Sequence, residues 1–153
     1  SQLLSIITTY ENDCRSSLFI EQVKFKYGDS YEPLKITTMD MSGLELKDID
    51  GIEIFTNLKR LTLNDNNLTN LKGIEKLKKL EVLYCNNNNI NTLVGIEELP
   101  NITDIHFNRN DLPLDFPIPN GSVNNKLRQS KNYQLIIDYI VNKKRLGKLN
   151  KIK

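Results

Sequence analysis

Apolar residues along this chain repeat on two scales. Over short stretches they alternate with polar ones, as in Leu61-Thr62-Leu63 and Ile105-His106-Phe107. The same alternation then returns every 22 residues, in segments that begin at Ile36, Leu58, Leu80 and Ile102. Three triplets, Gly51-Ile52-Glu53, Gly73-Ile74-Glu75 and Gly95-Ile96-Glu97, keep the same step. Period-2 alternation marks a short strand with one buried face. A fixed long period marks a solenoid, in which each coil buries its apolar face only against its neighbours. The pattern therefore predicts four coils whose strands line up as a parallel sheet on the inner wall.

Each position in the coil has a physical reason. Asn66, Asn88 and Asn110 fall where the chain must leave the sheet. A buried side-chain amide there can satisfy loop backbone groups that no strand ladder reaches. Leu44 takes this place in the first coil, so that bend must be satisfied differently. Gly51, Gly73 and Gly95 predict a tight turn or a close approach of coils. The Glu after each triplet's Ile favours the start of a short helical turn through its charge.

The positions together spell L-x-x-L-x-L-x-x-N-x-L, the leucine-rich-repeat pattern, with a period in its usual range. The runs Leu71-Lys72-Gly73-Ile74-Glu75-Lys76-Leu77 and Leu93-Val94-Gly95-Ile96-Glu97-Glu98-Leu99 resemble the short intracellular repeats typified by the nuclear regulatory subunit of protein phosphatase 1. Similar repeats occur in the axonemal dynein light chain of this class and in the spliceosomal U2 A-prime protein, and bacterial internalins use repeats of the same length. The resemblance covers residues 34–116. It implies an α/β solenoid: a right-handed coil with a parallel concave sheet, short helical or irregular convex segments and a C-terminal capping helix.

A solenoid needs both ends covered. Residues 1–35 are read as an N-terminal cap with a shortened first coil, because Ile20, Val23 and Phe25 repeat the strand spacing ahead of Ile36. Its strand is expected to join the sheet, with residues 2–10 as a small helix before it. That apolar stretch is too short, and lacks a basic leader, for a signal peptide, and cannot span a membrane. Residues 36–116 hold the four coils. Pro113, Pro117 and Pro119 then end the repeat, and Asn120-Gly121 signals a turn. Residues 117–145 form the C-terminal cap, with a helix over 132–145 carrying Leu135, Ile136, Tyr139 and Ile140 on one side. This helix reads either as a cover for the last coil or as an amphipathic partner-binding element.

The net charge of +2 is unevenly placed. Residues 143–153 contain six Lys and Arg and no acid, which leaves the rest of the chain acidic. Lys143, Lys144, Arg145 and Lys148 are thus a candidate basic site, a nucleic-acid arm or localisation signal, in a tail over 146–153. The other reading is a solubilising, disordered end that also complements the cap helix C-terminus. Nucleic acid is the second choice of partner, because the tail lacks interleaved aromatics.

Candidate chemistry is sparse. His106 is the sole histidine, so a His-based metal cluster is excluded, and no phosphate loop or metal-binding motif is present. Neither a cofactor nor a small-molecule substrate is expected, nor an enzymatic activity. Cys14 and Cys85 are the two cysteines, and Cys85 stands at an inward strand position, as a buried, inert thiol would. A chain with so few cysteines suits a reducing, intracellular compartment, cytoplasmic or nuclear. It begins at Ser1 rather than Met, as a trimmed or partial chain would.

The expected function is recognition of a partner protein through the concave face. Outward strand positions form columns in an in-register parallel sheet. One column is predicted to run Lys24, Asp40, Thr62, Tyr84, His106, and its neighbour Gln22, Thr38, Arg60, Val82, Asp104. The candidate protein-binding residues are Lys24, Asp40, Arg60, Thr62, Val82, Tyr84, Asp104 and His106. Tyr84 is central, and Tyr and Arg are enriched among residues that dominate binding energy. A third column, Lys26, Ser42, Asn64, Asn86 and Asn108, is uniformly polar and is expected to form an amide ladder that stabilises the sheet.

Overall fold

The computed structural model describes residues 2–4, 17–118, 122–123 and 131–152. Each of the four expected coils contributes one three-residue strand: β1 (Thr38–Asp40), β2 (Arg60–Thr62), β3 (Val82–Tyr84) and β4 (Asp104–His106). They pair in parallel and in sequence order, with Thr38 opposite Arg60, Arg60 opposite Val82 and Val82 opposite Asp104. The register equals the 22-residue step, so each side chain stacks on its equivalent in the next coil. A fifth strand, β5 (Ser122–Val123), joins β4 antiparallel. Two residues carry no periodicity that a sequence pattern could show.

The core is a set of stacked columns. Met39, Leu61, Leu83 and Ile105 form one, Met41, Leu63, Cys85 and Phe107 the next, and all eight are fully buried. Ile52, Ile74 and Ile96 continue the stack on the far side, where each opens a 3-10 turn: Ile52–Ile54, Ile74–Lys76 and Ile96–Glu98. Fully burying one such aliphatic side chain stabilises the fold by about 1.5–3 kcal/mol.

Polar side chains hold one coil to the next. Asn88 donates from Nδ2 to the carbonyls of Leu63 (2.9 Å) and Cys85 (3.3 Å), and its Oδ1 accepts from the Leu68 amide (3.1 Å). Leu63 and Leu68 belong to the preceding coil, so one amide closes its own bend and clamps its neighbour. Asn66 and Asn110 do the same. The Leu44 amide donates to Asn66 (3.0 Å), so the second coil's asparagine serves the first coil's bend.

The glycines meet both expectations. Gly73 and Gly95 have φ of +103° and +112°, and a Cβ on either would lie 2.8 or 2.6 Å from the Cγ2 of the preceding coil's Ile52 or Ile74. The Glu of each triplet turns its Oε2 back to accept from that glycine's amide, at 3.2, 2.9 and 2.6 Å in the three coils.

The N-terminal cap differs from expectation. Residues Leu18–Tyr27 form helix α1, so Ile20, Val23 and Phe25 are neither a shortened coil nor part of the sheet. The spacing of Ile20 and Val23 suits one face of a helix as well as a strand. Phe19, Ile20 and Val23 are buried, whereas Phe25 is 88% exposed. Ser17 caps the helix, accepting from the Ile20 amide at 3.5 Å while donating to the Asp50 carbonyl at 2.7 Å. Residues 2–4 are helical, and the rest of the predicted helix over 2–10 lies outside the described residues.

At the other end, helix α2 (Lys131–Ile152) buries Tyr133, Ile136 and Ile140 against the core. Leu135 is 40% exposed, so it lies off the buried face on which it was expected. The helix runs on through residues 146–152, and this segment is therefore not a disordered tail. Asn120-Gly121 lies outside the described residues. Edge-to-face aromatics close both ends of the stack: Phe19 on Phe55 at the start, and Phe116 against both Phe107 and Tyr139 at the finish.

Two substitutions test this account. Asn88→Ala removes the partner of four backbone groups, the Leu68 amide and the carbonyls of Leu63, Cys85 and Asn86, and the denaturation midpoint should fall by an amount equivalent to about 1–3 kcal/mol or more. Gly95→Ala combines a positive φ with overlap at Ile74, and a loss of at least about 1–3 kcal/mol is expected by the same measurement.

Candidate functional site

The open face of the sheet carries the outward strand residues in the predicted register. Asp40, Thr62, Tyr84 and His106 are successive partners across β1 to β4, as are Thr38, Arg60, Val82 and Asp104. Lys24 is the exception among the expected site residues. It lies in α1 and belongs to no strand column. Lys26, also in α1, instead donates from its ammonium to the Asp40 carbonyl at the edge of the sheet.

The polar column just beyond the strands is structural. The Asn86 amide donates to Asn64 Oδ1 and the Asn108 amide to Asn86 Oδ1, both at 2.8 Å. Side-chain oxygens thus extend the ladder past the point where strand pairing stops. Asp40 is committed locally as well: its Oδ1 accepts from the Ser42 hydroxyl (2.7 Å) and amide (3.1 Å). Those bonds hold its carboxyl below the usual carboxylate range.

Three side chains converge at the centre of the face. Adjacent strands lie about 4.8 Å apart, so the register partners Tyr84 and His106 bring their rings to 4.6 Å between centroids, tilted by 46°. Arg60, one strand over on the other side, reaches diagonally to set its guanidinium carbon 5.8 Å from the Tyr84 ring centre. A cation over an aromatic face at an exposed site contributes about 0.5–1 kcal/mol. Val82 shares the face but is only 8% exposed, so it is not open to a partner as expected. Thr62 and Asp104 are half-buried and Arg60 is exposed.

Cys85 and His106 sit on opposite faces, as their strand positions predict. Cys85 is fully buried, and burial pushes its thiol up to about 12. Its backbone amide donates to the His106 carbonyl (2.8 Å), while the two side chains point apart. Such a thiol is a poor nucleophile near neutral pH. Cys14 lies outside the described residues. Among the described residues, no group of three or more His, Cys, Asp or Glu could hold a metal ion.

The structure divides the basic candidates on α2. Lys143 pairs with Asp115 at 2.9 Å and lies 5.2 Å from the Tyr139 ring centre, and Tyr139 also donates to Asp115 at 2.8 Å. These bonds hold the Asp115 carboxyl below its ordinary value. Lys144 pairs with Glu97, whose side chain is only 7% exposed. Both lysines thus fasten the cap helix to the last coils. Arg145 and Lys148 remain exposed on the overhanging part of α2. A cleft of about 550 Å³ lies on the 3-10 turn side, near Lys72, Glu75, Val94, Glu97 and Lys144. Its buried carboxylate is already matched by Lys144. Among the described residues, no helix is long and apolar enough to cross a membrane.

Comparison with known proteins agrees with this geometry. Residues 56–97 match the family model "Leucine Rich repeats (2 copies)". No curated protein sequence matches the chain. Among solved structures, an internalin of Listeria monocytogenes is similar, with a TM-score of 0.58 and 24% identity over 66% of this chain. The match covers 32% of the internalin chain, so this chain spans about a third of that relative. The matched repeats, the in-register coils and the shared fold identify residues 36–112 as a leucine-rich-repeat solenoid.

Proposed function

We propose that this chain is a protein-interaction module that docks a partner protein on the concave face of its sheet, in an adaptor or regulatory role. The observation that carries this reading is the Arg60–Tyr84–His106 cluster. The core is already filled by the inward residues of the same strands, so folding does not call for an aromatic stack on the outer face. A rigid, braced tyrosine loses little entropy when it becomes a contact, and residues of this type dominate binding energy in other interfaces. The face is small, which suits recognition within a larger assembly. Cys85, unpaired and buried, supports placing this role in a reducing, intracellular compartment.

The competing reading uses the basic residues of α2 to hold nucleic acid. Lys143 and Lys144 have intramolecular partners, which leaves Arg145 and Lys148 of the four candidates for an external anion. A binding site of that kind would show steep salt dependence.

The test is affinity capture from source lysate with mass-spectrometric readout. Wild type is compared with Arg60→Ala/Tyr84→Ala and with Arg145→Glu/Lys148→Glu, each first shown to melt as wild type does. A partner retained by wild type and reduced at least about tenfold by the first pair, equivalent to about 1.4 kcal/mol, supports the concave face. Capture that survives the first pair and fails with the second transfers the function to α2.

A further inference from the structure

Resting on the concave-face reading, we infer that the partner protein inserts an acidic side chain, Asp or Glu, at Arg60, flanked by backbone carbonyls of an extended segment. The inference comes from what the cluster leaves unused. Arg60 approaches the Tyr84 ring from the β2 side and His106 approaches it from the β4 side. Tyr84 thus already has a cation and a second ring against it, and its hydroxyl is the polar group it offers a partner. A guanidinium held over a ring keeps its N–H groups in its own plane, where they can grip a carboxylate through two bonds. Among the described residues Arg60 forms no ion pair and donates no hydrogen bond, although it is a cation at the centre of the face.

The polar column beside it adds a second, independent observation. Asn64 and Asn86 spend their side-chain oxygens on the ladder. Their NH2 groups donate no hydrogen bond among the described residues and lie next to the Tyr84 strand. The centre of the face is thus rich in donors: the Arg60 fork, the Tyr84 hydroxyl and two amide NH2 groups. Its complement is rich in acceptors, namely a carboxylate and peptide carbonyls.

The surrounding charge selects a carboxylate over a phosphate. Asp40 lies one strand from Arg60 and Asp104 two strands away, about 10 Å by strand spacing. One guanidinium between two acids suits a single negative charge. A dianionic phosphoryl group would be repelled by both acids, and Lys26, the ammonium beside Asp40, is already engaged with the Asp40 carbonyl.

The probe is a displayed library of random 12-residue peptides, selected on the intact chain and, in parallel, on Arg60→Gln, Arg60→Glu and Tyr84→Ala. Binders to wild type should share one Asp or Glu at a fixed position. Changing that residue to Gln or Asn should weaken binding about 10–100-fold on wild type and by less than about threefold on Arg60→Gln. Arg60→Glu should select Lys or Arg at the same position. Binders that need Tyr84 but show no acidic preference, or whose acid is not coupled to Arg60, overturn this inference and leave the docking reading standing. Binders indifferent to both Arg60 and Tyr84 overturn the docking reading itself. A library that yields no acidic binder also overturns the inference.

Discussion

A single side-chain amide at the bend of each coil after the first makes this fold possible. When a strand ends and the chain bends away, its last carbonyls and the next amides lose their ladder partners inside the protein. An unsatisfied buried backbone group costs about as much as a lost hydrogen bond. Asn66, Asn88 and Asn110 supply donors and an acceptor at that point, and each reaches both its own coil and the one before. The interaction is thus also the coupling between coils, and it fixes the register on which everything else stands. The first coil needs no asparagine of its own because Asn66 reaches back to it.

The surface follows from that register. With coils stacked one above another, a side chain finds its neighbours 22 residues away rather than two. Tyr84 meets His106 because both take the same place in successive coils, and Arg60 joins them because it is long enough to cross one column. None of these contacts is needed to close the core. The face is a regular grid on which donors, acids and one braced ring are arranged without disturbing the apolar columns beneath.

The ends use a different solution. An open coil would expose the last ring of the core, and here helices with aromatic contacts close it on both sides. At the C-terminal end the closure is also electrostatic. Lys143 and Lys144 look like part of a basic tail in one dimension, yet in three they are fasteners that meet Asp115 and Glu97. The overhang beyond them keeps Arg145 and Lys148 exposed.

The sequence by itself determined the coils, their strands, the inward columns, the bend asparagines, the turn glycines and the two outward columns of β1 to β4. It could do so because a 22-residue repeat states the same local rule several times, and contacts between equivalent positions need only the register. Tertiary structure alone decided the rest. Leu18–Tyr27 is helical because Phe19, Ile20 and Val23 must cover the first coil, a choice that a spacing common to strand and helix leaves open. The two-residue β5 exists only because β4 offers an edge. The burial of Val82, the reach of Arg60 to Tyr84 and the pairing of the α2 lysines all depend on residues far apart in the chain and outside the repeat's own rule.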